Sequence, residues 1–221
     1  MDNMVVSDRI KLLLLLEFVV LCLLLPSIII SFRLAGVMLF FLWGAGIYCW
    51  LAIHHNRENF LRDVWKWDAV TFANMKIIVV RWLIACVGML LFLYYYAPER
   101  MFEMVLHKPG FLPYLMVAYP VLSAFPQELI FCSFFFERYA VFFRTERVKI
   151  VASALVFAYA HILFINWVAP FLTLIAGVIF AMTFSKTRSL ALVTIEHALY
   201  GNALFLIGLG RYFYGGAVPL H

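Results

Sequence analysis

Charge is what this sequence has least of. Asp, Glu, Lys and Arg make up 13% of the 221 residues, while 66% are hydrophobic. Soluble globular domains carry about a quarter charged residues and about half apolar ones, so that class is excluded, and disorder with it. The net charge of +5 reads as loop charge on a membrane protein, not as a basic face for nucleic acid. Cysteine is also sparse. Cys22, Cys49, Cys86 and Cys132 all lie inside apolar stretches, with no CxxC spacing. Neither a zinc site nor a disulfide framework is indicated, and the four read as small packing residues.

Long apolar runs are what the chain has instead. At about 20 residues per crossing, its length accommodates roughly seven or eight membrane helices, with nothing left for a soluble domain. Charges and turn residues mark seven spans, at about Ile10–Phe32, Leu34–Ile53, Ile77–Tyr96, Phe111–Phe136, Val148–Phe164, Val168–Phe184 and Leu190–Leu209. The first is too long for a signal-peptide core and lacks a small-residue cleavage site, so it reads as a retained span. Between the second and third, His54–Lys76 is polar and carries Trp65 and Trp67 near Arg62 and Lys66, the pattern of a helix lying in the interface. Tyr94, Tyr95 and Tyr96 form an aromatic belt, and the fourth span contains Pro113, Pro120 and Pro126. The expected fold is an all-α polytopic membrane bundle.

Loop charge is asymmetric. One side carries Arg9 and Lys11, then Arg57, Arg62, Lys66 and Lys76, then Arg138, Arg144, Arg147 and Lys149, and finally Lys186 and Arg188. The other carries Arg33, Arg100, Lys108 and Arg211. Positive loops favour the cytoplasm, so the expected N-terminus is cytoplasmic.

An ionisable side chain in the bilayer core costs roughly 2.5–3.5 kcal/mol or more, so each one needs a reason. The candidates are Glu17, Arg81, Glu128, His161, Glu196 and His197, with Gln127, Asn166 and Asn202 as neutral polar companions. At about 1.5 Å rise per residue, Glu128, His161 and His197 lie roughly 13–18 Å from the basic loops of their spans. All three therefore fall near the midplane, on three different helices. A carboxylate can take a proton from water, and imidazoles can orient that water or donate to an oxyanion. Glu17 and Arg81 are expected to pair and lock the first span to the third. Glu196 sits about 100° around the helix from His197, off the same cavity. His54, His55, His107 and His221 lie in loops or termini.

Three stretches, FPQELIFCSFFFERY (Phe125–Tyr139), FAYAH (Phe157–His161) and SLALVTIEHALYGN (Ser189–Asn202), resemble the motifs of the CPBP family. These are the type II CAAX-prenyl-protease and bacteriocin-processing intramembrane endopeptidases, also called the ABI family. The family pattern is a double Glu with Arg four residues after the second, then Phe-x-x-x-His, then His with Asn or Asp four residues on. The resemblance covers about residues 110–210. It implies a glutamic-type mechanism, in which a Glu and His161 activate a water while His197 and an Asn hold the oxyanion. Three positions depart from the pattern. Gln127 replaces the first Glu, Cys132 replaces the Arg, and Gly201 occupies the Asn position, with Asn202 one residue later. A Gln amide takes no proton near neutral pH, so Glu128 is the expected base, brought round by a local rotation at Pro126. Asn202 is the expected oxyanion donor, swung inward by a helix loosened at Gly201.

The expected organisation is residues 1–109 as leading spans and link, 110–210 as the catalytic core and 211–221 as a tail. The expected activity is cleavage of a membrane-anchored protein or peptide from the cytoplasmic half of a bacterial inner membrane, with the lipid bilayer as surroundings and no nucleic-acid partner. No cofactor is expected, although a Glu/His/His set also has the composition of a divalent-metal site. The competing readings are a non-catalytic scaffold or immunity protein of the same family and a redox or transport protein, with His161 and His197 as bis-imidazole haem ligands or the Glu/His set as a proton path.

Overall fold

The computed structural model describes residues 7–55 and 57–214, so His221 and most of the expected tail lie outside it. Helices account for nearly all of the described residues, and no strand occurs among them. Seven are long and apolar enough to cross a bilayer: Asp8–Ser31, Leu34–His54, Phe72–Tyr96, Pro109–Arg138, Glu146–Phe164, Val168–Thr187 and Leu190–Ile207. These are the seven expected spans, with ends moved by a few residues.

The ends move for local reasons. The first, third, fifth and seventh spans each start on a hydroxyl cap. Ser7, Thr71, Thr145 and Ser189 accept the backbone N–H three residues on, satisfying one of the donors that a helix start leaves free. The Thr71 cap begins the third span five residues early and takes Lys76 into it. The preceding link contains only a six-residue helix, Phe60–Trp65, with Phe60 fully buried. Ser189 Oγ donates to Lys66 O at 2.9 Å and holds the link onto the bundle.

The spans do not share burial equally. About a fifth of the central windows of the first three is buried, against 61% of the seventh. Leu12, Phe40, Ile84 and other large apolar side chains stand fully outward, as a lipid-facing surface requires. The seventh span is the central post around which the others pack.

Prolines shape the fourth span. A proline has no N–H, so the carbonyl four residues earlier loses its helical donor. Pro120 strands Met116 O, which accepts Asn202 Nδ2 at 3.2 Å. Pro126 strands Leu122 O, which accepts Trp43 Nε1 at 3.0 Å. Around them the helix widens into π-turns at Pro120–Ala124 and Leu129–Phe134. In the second, Phe135 N–H reaches back to Ile130 O, and Phe131 O accepts Ser153 Oγ at 2.6 Å. The span is thereby fastened to the second, fifth and seventh spans at the points where its own ladder is interrupted.

The buried charges pair differently from the expectation. Glu17 does not meet Arg81. It takes two hydrogen bonds from Arg138, at 2.9 and 3.0 Å, and one from Tyr48 at 2.9 Å. Arg81 Nη2 lies 2.8 Å from Glu196 Oε1, while its aligned hydrogen bond goes to Thr183 Oγ1 at 2.8 Å. Glu17 and Arg138 both lie at the end of the bundle that holds the N-terminus. Arg81 faces the seventh span, whose Glu196 is fully buried. At that same end, Phe134, Phe135, Phe136, Tyr139 and Phe184 pack with Phe60 and Leu190 into an aromatic plug.

Losing one partner of a buried ion pair leaves an uncompensated charge, at a cost of about 3–5 kcal/mol, less where the partner is partly exposed. Arg81→Met is therefore expected to lower the detergent-solubilised melting temperature sharply. Arg81→Met/Glu196→Leu should recover most of the loss. A double variant no more stable than the single one would contradict the pairing.

Candidate active site

Four segments build the polar centre of the bundle interior, three with polar side chains and one with an aromatic ring. The fourth span carries Tyr119 just before its first π-turn, Ser123 on it, and Gln127 and Glu128 between its two π-turns. The fifth places His161 where its α-helix gives way to a tighter turn, His161–Phe164. The sixth contributes Phe180 and the seventh His197.

Glu128 and His197 meet directly. His197 Nδ1 lies 2.7 Å from Glu128 Oε1, and both side chains are buried, at 4% and 1% exposure. A carboxylate oxygen accepts, so Nδ1 carries the hydrogen. The other ring nitrogen, Nε2, lies 2.9 Å from the Tyr119 hydroxyl. Phe180 stacks on the imidazole at 4.6 Å and 20° and fixes the ring plane. The result is an unbroken chain of carboxylate, imidazole and phenol. Glu128 Oε2 is buried without a hydrogen-bond partner.

His161 stands apart from that chain, with the Phe157 ring between the two imidazoles at 4.6 Å from His161 and 5.8 Å from His197. His161 Nδ1 lies 2.7 Å from Phe157 O. A carbonyl only accepts, so this bond assigns the hydrogen to Nδ1 and leaves Nε2 with a lone pair in the neutral ring.

Tyr119, Gln127, His161 and His197 all line one cavity of about 1370 Å³, walled by all seven spans. Most of its wall is apolar. It reaches Glu103, His107, Lys108 and Arg211, at the end of the bundle opposite the N-terminus. The access expected from the sequence is through the half that holds the N-terminus. The aromatic plug fills that half, which turns the cavity the other way.

Neighbouring residues of the fourth span divide the work. Gln127 faces the cavity, with Nε2 donating to Ser123 Oγ at 2.8 Å and Oε1 buried and unpartnered. Glu128 faces the His197 ring and is not part of the cavity wall. Asn202 is likewise absent from the wall, its Nδ2 on Met116 O. Asn166 caps the sixth span by accepting Ala169 N–H at 2.9 Å and ties down Tyr212 O at 2.9 Å. Tyr119 was not visible as a site residue in the sequence. Its one signal is steric, because a Cβ built on Gly201 would fall inside the Tyr119 ring.

The donor set does not suit a metal ion or haem. Among the described residues no three His, Cys, Asp or Glu side chains gather as metal ligands. Both nitrogens of His197 already have partners, which leaves no axial position for haem iron.

Asn202→Leu removes the side-chain donor that Met116 O has among the described residues. An unsatisfied buried carbonyl costs about 1–3 kcal/mol, so this variant should melt earlier. Any turnover should stay within tenfold of the parent, and a far larger loss at full stability would return Asn202 to the chemistry.

Comparison with known proteins supplies the context for this geometry. No curated protein and no solved structure matches the chain. A family model, described as type II CAAX prenyl endopeptidase Rce1-like, matches residues 109–203. That stretch runs from the start of the fourth span through His197 and Asn202, and so includes every residue of the carboxylate–imidazole–phenol chain together with His161. Over residues 109–203 this membrane protein is therefore similar to the Rce1-like family of type II CAAX prenyl endopeptidases.

Proposed function

We propose that the protein is an intramembrane endopeptidase that hydrolyses a peptide bond of a membrane-associated protein or peptide. The observation that carries this reading is the chain Glu128–His197–Tyr119 on the same cavity as the bare Nε2 of His161. His161 Nε2 takes the proton of an attacking water, whose oxygen adds to the scissile carbonyl. The oxyanion forms on the His197 side of the cavity. His161 then returns the proton to the leaving amine as the C–N bond breaks.

Glu128 acts here as a positioning residue. Its carboxylate fixes the tautomer and plane of His197 and balances the ring's charge, as the buried carboxylate of a catalytic triad does. This differs from the role in which Glu128 itself deprotonates water, because its Oε1 is engaged by His197 and its side chain lies behind the cavity wall. The wide apolar cavity suits a substrate with a lipid chain or an apolar segment, and a prenylated peptide is the first class to test. The cellular setting we propose is a bacterial inner membrane. Residues 110–210 serve as the catalytic core, with the preceding spans as its lipid-facing support.

The competing reading, a non-catalytic scaffold or immunity protein, is favoured by one observation, namely that beside the imidazoles the cavity presents the amide of Gln127, while the carboxylate on its wall, Glu103, stands at the end opposite the N-terminus. Product mass separates the two. The protein in proteoliposomes is incubated with a farnesylated CAAX peptide and with an unmodified transmembrane peptide. Parent protein should shorten at least one of them, with turnover unchanged by EDTA. His161→Ala should lose about 10²–10⁴-fold. Glu128→Gln should lose a comparable amount through a misoriented His197. Intact peptides with folded parent protein would end the endopeptidase reading.

A further inference from the structure

The Tyr119 phenol has no part in the water activation derived above, yet three independent features hold it in the cavity. Its hydroxyl sits 2.9 Å from His197 Nε2. Its ring packs edge-on against Phe205 at 5.5 Å. Its ring also occupies the volume that any side chain at position 201 would need, one helical turn beyond His197. A glycine is therefore required at that point of the seventh span for the phenol to enter. The backbone supplies the approach. Tyr119 is the last residue before the Pro120–Ala124 π-turn, where the stranded Met116 carbonyl is bonded to Asn202. The element that anchors Tyr119 and the gap that admits it thus come from adjacent residues, Asn202 and Gly201.

We propose that Tyr119 is a catalytic residue, its phenolic O–H donating to the oxyanion of the tetrahedral intermediate. This rests on the endopeptidase reading and adds the donor that reading lacks. The hydrogen bonds work out as follows. In the tautomer that Glu128 selects, Nδ1–H goes to Glu128 and Nε2 accepts the phenol hydrogen until substrate binds and the hydroxyl turns to it. The phenol hydrogen is then free to meet the substrate oxygen. As the water oxygen bonds to the carbonyl carbon, the π pair moves onto that oxygen and the phenol hydrogen bond strengthens. No proton leaves Tyr119. The proton taken from water resides on His161 and passes to the leaving amine when the C–N bond breaks. Collapse restores the carbonyl and leaves the phenol as it began. A polarised phenol aimed at a developing oxyanion is an established way to stabilise one, and loss of a single such donor costs about 10²–10³-fold in kcat.

The test uses the full chain in proteoliposomes, with whichever peptide the parent cleaves as the probe. Tyr119→Phe keeps the ring and removes the donor. It should lower kcat about 100-fold or more and leave KM within threefold, a split that a packing defect would not give. Tyr119→Ala empties the space beside position 201. Tyr119→Ala/Gly201→Asn then places an amide donor there and should turn over at least tenfold faster than Tyr119→Ala alone. Gly201→Asn in the parent background should be inactive, because the amide and the phenol collide. Folding of each variant is checked by its elution in detergent and its melting temperature. If Tyr119→Phe folds and keeps kcat within threefold of the parent, the phenol is not the donor and the endopeptidase reading stands without it. If Tyr119→Phe does not fold, the Ala pair decides, and no gain from the added amide rejects the proposal. A parent that cleaves neither peptide removes the endopeptidase reading and this proposal together.

Discussion

Every feature of this bundle depends on one constraint, which is that lipid offers no hydrogen bonds. A backbone group or charge inside the membrane must find its partner within the protein. The fourth span tests the constraint hardest, because Pro120 and Pro126 each strand a carbonyl at membrane depth. Asn202 and Trp43 answer those two carbonyls from the seventh and second spans. The same repair that satisfies the backbone also sets the angle of the fourth span. Tyr119, Gln127 and Glu128 therefore face inward at fixed positions.

The buried charges obey the same rule in three separate places. Glu17 with Arg138 and Tyr48 ties the first span to the end of the fourth. Arg81 with Glu196 and Thr183 ties the third, sixth and seventh. Glu128 with His197 ties the fourth and seventh, but here the second partner is an imidazole whose far nitrogen meets the Tyr119 hydroxyl at the wall of an open cavity. Two of these sets are closed on themselves. The third has one end on a space large enough for a substrate, and that difference is why we propose it, and not the other two, as the reaction centre.

Glu196 and His197 illustrate how narrow the separation is. They are adjacent in sequence and both nearly inaccessible, yet one faces Arg81 and the other faces Glu128 and Tyr119. Gln127 and Glu128 repeat the arrangement on the fourth span. A step of about 100° around a helix sends neighbours into different environments. A motif read as a string therefore does not say which member of an adjacent pair meets the cavity.

Seven crossings, their boundaries, the inward polar set and its approximate depth are readable from the order of residues, because hydropathy, capping hydroxyls and the expense of charge in lipid act locally. The common depth of Glu128, His161 and His197 was readable, but not that Glu128 would bond His197 while His161 stands apart. The partner of Glu17, the bond of Asn202 to Met116 O and the arrival of Tyr119 did not follow from the order of residues either. Each depends on which helices are neighbours and on how far π-turns and prolines rotate the fourth span. The direction in which the cavity opens is of the same kind, since it is set by where the Phe and Tyr side chains of several spans happen to close the interior. Rotation and adjacency of packed helices are properties of the whole assembly, so only the folded bundle fixes them.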